Sequence, residues 1–198
     1  MRRFTEETMR KMYNLCSDPI ISKMTGNVGC VYIFGACISD VLYKLETPYI
    51  RIFSFLPYEK VAEGLVGEPQ YQRNIFGGLS TKPVCWKFTS KTRTIFLYTP
   101  ESVKDGYIID VKEPDDILKI ARLNYEKVYM STSLKEIKGD FDYSNWMASG
   151  LISLCGNYNI DKQLVNDIIK AEKRYKAPLD RTLEKSISSF LRSVRKPK

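Results

Sequence analysis

Between Cys30 and Phe55 the chain reads CVYIFGACISDVLYKLETPYIRIFSF, and the hydrophobic period changes twice along it. Cys30 to Phe34 is a continuous apolar run of β-branched and aromatic residues, the composition of a buried strand. Gly35 stops it. From Ala36 to Glu46 the apolar residues Ile38, Val41, Leu42 and Leu45 recur at helical spacing, with Ser39, Asp40 and Lys44 on the other faces. Thr47-Pro48 ends that helix, because a residue preceding proline is pushed out of the α region. Tyr49 to Phe55 then alternates as a second strand. A chain built around strand, glycine turn, helix and strand packs helices on a sheet, and the glycine lets a helix N-terminus approach an anion closely.

The same residues carry a resemblance. The order strand, Gly, small residue, three residues, Asp, helix, strand is similar to the opening of the nucleotidyltransferase (polymerase β-like) fold of CCA-adding enzymes and related phage and viral proteins. That family starts the helix with two glycines, places an Arg-Asp pair in its first turn, and carries Asp-x-Asp for two metal ions on the next strand. Gly35 matches the first glycine and Asp40 the aspartate, while Ala36 replaces the second glycine and Ser39 the arginine. Arg51 and Phe53 stand where the two metal carboxylates belong, and neither supplies the hard oxygen ligands that Mg²⁺ takes. The match is good over residues 28–56 and extends weakly to Asp110–Met130.

The resemblance therefore implies a catalytically degenerate, phage or viral type of member with no metal site and no cofactor. Gly35, Ala36, Ser39 and Arg51 are its candidate phosphate or nucleotide contacts. The alternative is an active transferase with non-standard carboxylates, for which Asp40 and Asp110 are the strand-associated acids. A third class is an interaction or inhibitor protein that binds no nucleic acid.

Composition narrows the chemistry. The chain has no histidine among its 198 residues, which removes Ser-His-Asp and Cys-His nucleophiles and histidine-ligated metals. Five scattered cysteines without a Cys-x-x-Cys pair point to free thiols in a reducing, intracellular setting. No stretch approaches the roughly 20 apolar residues of a membrane span, and Phe4 leads at once into Thr5-Glu6-Glu7 with no long apolar run, so a soluble protein is expected.

Elsewhere the periodicity predicts a helix over 4–16 capped by Thr5, a short helix to Met24, and another over 58–65. It predicts a polar loop over 70–82, in which Arg73, Lys82, Gly77 and Gly78 are candidate ligand contacts, and a hairpin over 83–98. A strand is expected at 107–111. Glu113-Pro114-Asp115-Asp116 starts a helix, its acids complementing the helix dipole rather than holding a metal. Short strands are expected at 125–130 and 134–141. From Tyr143 the chain turns helical: Ser144 caps a helix reaching Leu154, then 161–175 and 179–194 follow. The fold class expected is α+β, a mixed sheet with a nucleotidyltransferase-like core over 1–142 and a helical C-terminal part over 143–198.

Charge is concentrated in that last part. Residues 161–198 hold eleven cations and five acids, most of the net charge of +8. Lys173, Arg174, Tyr175 and Lys176 set an aromatic among cations, and Arg192, Arg195 and Lys196 follow near the end. Such a cluster attracts polyanions by neutralising phosphates, so RNA or DNA is the expected partner, with a protein partner as the alternative. Tyr175 is open to two roles, stacking on a base or packing in the helical core.

Overall fold

The computed structural model describes residues 5–72, 79–104, 107–108, 110–156 and 159–195. Thr5 caps α1 (Glu6–Cys16), accepting from the Thr8 N–H at 3.3 Å. Asp18 caps α2 (Pro19–Val28), which runs past the expected stop at Met24 and ends at Gly29, φ +78°. β1 (Tyr32–Phe34), α3 (Ala36–Leu42) and β2 (Tyr49–Phe53) form the organising unit, followed by the single turn α4 (Tyr58–Val61). β3 (Glu68–Gln70), β4 (Cys85–Thr89) and β5 (Thr94–Tyr98) come next, then a two-residue-per-strand hairpin of β6 (Val103–Lys104) and β7 (Tyr107–Ile108). Two 3₁₀ segments, Pro114–Ile120 and Asn124–Glu126, lead to β8 (Val128–Ser131) and β9 (Ile137–Gly139). Helices α5 (Phe141–Ser149), α6 (Lys162–Tyr175) and α7 (Arg181–Arg195) complete the described chain.

Among the described residues the main sheet has seven strands in the order β3-β4-β5-β2-β1-β8-β9. β2 and β5 are parallel, and the other pairs are antiparallel, including β1 with β2 across the intervening helix. One face packs Ile33, Ile50, Ile52, Ile95, Leu97 and Met130 against the helices in a cluster that runs from Met12 of α1 to Ile187 of α7. A single apolar core thus continues past residue 142. The other face holds a smaller cluster of Phe34, Phe53, Val111, Ile117, Leu118 and Tyr129. The mixed α+β class is as expected.

Several boundaries differ, each for a local reason. β3 forms at the break before the expected loop and takes in the loop's first residue, Gln70, because Glu68 to Gln70 pair with Lys87 to Cys85; Arg73, Gly77 and Gly78 lie outside the described residues. The strand expected over 107–111 is shorter, since Val111 leaves the ladder to enter the second cluster. The helix expected after Glu113 forms as a 3₁₀ segment. Asp140, not Ser144, caps α5 by accepting from the Tyr143 N–H at 3.0 Å, and Gly150 in the left-handed region (φ +71°) stops it before Leu154.

Candidate functional site

Gly35 sits at φ +82° and ψ −152°, a region essentially closed to residues with a Cβ. This turn sends α3 off the end of β1 and leaves the Arg51 side chain beside it, 3.6 Å from where a Cβ would stand. Arg51 points from β2 into a cleft of about 330 Å³. Ala36 lies on its floor, Arg122 and Glu126 on one wall, and Asp167, Lys170 and Arg174 of α6 on the other. The Arg51 guanidinium donates to Glu126 Oε1 at 2.9 Å while its side chain stays 42% exposed. The Glu126 carboxylate pushes the Arg51 pKa further up, against the effect of burial. Arg122 faces Asp161 and Asp167 at 3.9 and 3.7 Å, distances of loose pairing. Burial pushes the Tyr98 hydroxyl on the cleft wall up to about 12, so it is a neutral donor there.

Below the cleft α6 is fastened to α3. Asp40 is buried and accepts from Arg174 Nε at 2.7 Å and from the Tyr175 hydroxyl at 2.8 Å. Arg174 also donates to the Glu46 carbonyl. Tyr175 packs edge-on against Tyr43 and Trp146. Its pKa is raised, first by burial and then by the Asp40 charge, so it remains a hydrogen-bond donor.

These contacts correct several expectations. Tyr175 is a core residue, 4% exposed, and is closed to a base. Arg174 serves the latch to Asp40, not only a solvent-facing patch. Ser39 is fully buried and donates to the Tyr125 carbonyl at 2.6 Å, so it meets no phosphate. The Gly35 N–H is already given to the Val128 carbonyl at 2.9 Å. Of the four expected phosphate contacts, Ala36 and Arg51 line the cleft. Lys173, Lys176 and Arg192 are exposed as expected; the Arg195 side chain and Lys196 lie outside the described residues. Asp110 is exposed and pairs with Lys112 at 3.4 Å, so it shares no partner with the buried Asp40.

Arg122, Glu126, Asp167 and Lys170 were not singled out from the sequence. A signal existed for α6, where Asp167, Lys170 and Arg174 recur at helical spacing along the border of its apolar stripe. Glu126 had none, since its partner Arg51 lies 75 residues away.

No protein-family model matches the chain, and no curated protein matches its sequence. Solved structures do match. A CCA-adding enzyme in complex with ATP superposes with a TM-score of 0.63 at 15% identity, over 96% of this chain and 43% of its own. A tRNA-processing enzyme in its apo form I gives 0.63 at 12% identity, over 97% and 49%. The Thermotoga maritima CCA-adding enzyme complexed with tRNA(CCA) gives 0.60 at 16%, over 93% and 42%. The fold is nucleotidyltransferase-like. This chain spans less than half the length of each of these three structures.

The two-metal chemistry of the resembling family is tested by the residues that stand in its place. Arg51 carries a positive charge already neutralised by Glu126, and Phe53 is fully buried with its ring 5.2 Å from Phe55. Among the described residues no three Asp, Glu or Cys side chains converge on a point a metal ion could occupy. These residues do not fit a two-metal centre. No helix among the described residues is long and apolar enough to cross a membrane.

Proposed function

We propose that the chain is a nucleotidyltransferase-like pseudoenzyme that binds nucleic acid through its cation-lined cleft and the basic surface of α6 and α7. The observation that carries this reading is the replacement of both metal positions. Arg51 is ion-paired in one, and Phe53 is sealed into an aromatic cluster at the other. The cationic groups that this reading uses are the cleft's Arg122, Lys170 and Arg174 together with the half-exposed Arg51. Support for RNA comes from the neighbour complexed with tRNA and from the net charge of +8. Residues 143–198 act in this reading as the part that supplies most of the basic surface. Transfer through Asp40 is disfavoured because its carboxylate is used by Arg174 and Tyr175.

The test has two arms. Incubation with labelled nucleotides, RNA primers and Mg²⁺ or Mn²⁺ should give no primer extension; extension abolished by Asp40→Ala or Asp110→Ala would restore the active-transferase alternative. Fluorescence anisotropy over a salt series should give affinity falling steeply with salt. Replacing Lys173, Lys176 and Arg192 together by Ala should flatten the slope of log K on log[salt] by roughly two to three. A wild-type protein that binds no oligonucleotide at low salt would leave the interaction-protein reading in its place.

A further inference from the structure

The sheet face that carries Arg51 is covered on one side only. Around β1 and β8 it lies under Val111, Ile117 and Leu118. At the start of β2 it is open: Tyr49 is 62% exposed, and its ring lies 6.3 Å from that of the half-buried Phe96 at an interplanar angle of 34°. The register sets Arg51 opposite Phe96 in the parallel pair and Lys87 opposite Phe96 in the antiparallel one. With side chains alternating along each strand, Tyr49, Arg51, Phe96 and Lys87 share this face.

Cations frame the two rings. Arg51 follows Tyr49 by two positions, about 7 Å along the strand. The Thr94 N–H donates to the Pro48 carbonyl at 2.8 Å, which fixes the strand end beside Tyr49, while Arg93 turns to the helix side, where it lines a cavity with Lys11, Leu15 and Val41. On the other side Arg174 donates to the Glu46 carbonyl, three residues before Tyr49, and so joins the open face to the cleft. The opposite sheet face uses Ile50, Ile52, Ile95 and Leu97 at neighbouring positions, so no demand of strand packing calls for aromatics here.

We infer that the open end of this face, where Tyr49 presents its ring, is a stacking platform for the unpaired bases of a single-stranded polynucleotide, whose phosphates lie along Arg51 and the cleft cations. The inference rests on the nucleic-acid reading above and narrows it to a strand class. Exposed ring faces stack on any base, and that stacking is open only to bases not held inside a duplex. A protein partner would use the rings without needing the surrounding cations.

The experiment measures anisotropy for oligouridine, oligo-dT, an abasic strand of equal length and an RNA duplex, with wild type, Tyr49→Ala and Tyr49→Phe. Tyr49→Ala should weaken oligouridine about tenfold or more. Abasic-strand affinity and the salt slope should stay unchanged, because no phosphate contact is removed. Tyr49→Phe keeps a ring and should bind as wild type does. Comparing oligouridine with oligo-dT tells whether RNA or DNA is the preferred strand. If Tyr49→Ala leaves oligouridine unmoved, or weakens the abasic strand equally, the platform is wrong while the broader reading survives. If wild type binds none of the four probes at low salt, both fall.

Discussion

On one face of the sheet Ile33, Ile50, Ile52, Ile95, Leu97 and Met130 meet the helices in a dry aliphatic layer. On the other, Phe34, Arg51, Phe53, Tyr98 and Tyr129 occupy the intervening positions of the same strands, Phe34, Phe53 and Tyr129 buried with the 3₁₀ cover and Arg51 and Tyr98 lining the cleft. The first face could be repacked with other aliphatics of similar volume and still give this fold. The second carries Arg51 and Phe53, where the resembling family has its two metal carboxylates, and the proposed function rests on it. Aromatic rings fill what carboxylates would otherwise line, with Tyr32 edge-on to Tyr129 at 5.8 Å and Phe34 edge-on to Tyr98 at 5.5 Å. In the proposed reading, fold and function lie on opposite sides of the same strands.

The strongest way to break that contrast is to put the carboxylates back. Phe53→Asp removes a fully buried phenyl ring and buries a charge in an aromatic cluster, so it should cost more than about 4 kcal/mol in urea unfolding. The double variant Arg51→Asp, Phe53→Asp should unfold rather than acquire a metal site. A folded double variant whose melting temperature rises with Mn²⁺ would mean the second face is still a metal scaffold. Next in size, Phe34→Ala should cost about 3–5 kcal/mol, similar to the cost of emptying the aliphatic face by Ile52→Ala at about 2–5. A change within about 0.5 kcal/mol at Phe34 would mark the second cluster as a surface feature rather than a core.

The aliphatic face was legible because strand alternation has period two and burial on one side makes it regular. Strand β1, α3 and β2 follow the pattern of residues 30–55, and Thr5 and Gly35 mark the turns through local backbone chemistry, but α3 stops at Leu42, ahead of the expected end at Thr47-Pro48. The second face was legible only at Arg51 and Phe53, which stood out against the resembling family. Its cover was not, because Val111 and Ile117 reach it from a segment with strand or helix signals of its own. The role of Tyr175 depended on Asp40, 135 residues earlier, and no local pattern reports such a pair. Helix ends were misplaced where a glycine acted in an unexpected sense: Gly26 was carried inside α2, and Gly150 stopped α5.

A smaller effect sharpens the link between the cleft and the aliphatic core. Asp40→Ala removes the acceptor shared by Arg174 and Tyr175 and leaves a buried hydroxyl without it, at about 1–3 kcal/mol. Tyr175→Phe deletes the hydroxyl that donates to Asp40 at 2.8 Å and, more weakly, to the Ala36 carbonyl at 3.4 Å, and keeps the ring, so about 0.5–1.5 kcal/mol is expected. The two should separate in RNA binding as well. Asp40→Ala frees the Arg174 charge and should steepen the salt slope, whereas Tyr175→Phe should leave it alone. Equal slopes for the two variants would show that Arg174 does not face the bound strand.

The smallest effect expected concerns the cover over the second face, and it is read by pH. Asp116 is paired with Lys119 and accepts from the Lys112 and Glu113 N–H groups at 3.0 and 3.1 Å, while its neighbour Asp115 accepts from the Tyr129 hydroxyl at 2.6 Å. Its pKa is lowered to about 2, first by the Lys119 hydrogen bond and then by the two backbone donors. An aspartate in the unfolded chain titrates near about 3.9. The folded value is the lower one, so the carboxylate's contribution is full above about pH 4 and is lost as pH falls toward about 2. Asp116→Asn lacks the charge at every pH. The melting-temperature gap between wild type and Asp116→Asn should therefore hold steady from neutral pH to about 5 and shrink between about 4 and 2. Lys119 is well exposed, so added salt should trim only its share and spare that of the backbone donors. A gap that persists undiminished below pH 2 would mean that the shape of the side chain, not its charge, pins the cover onto Phe53 and Tyr129.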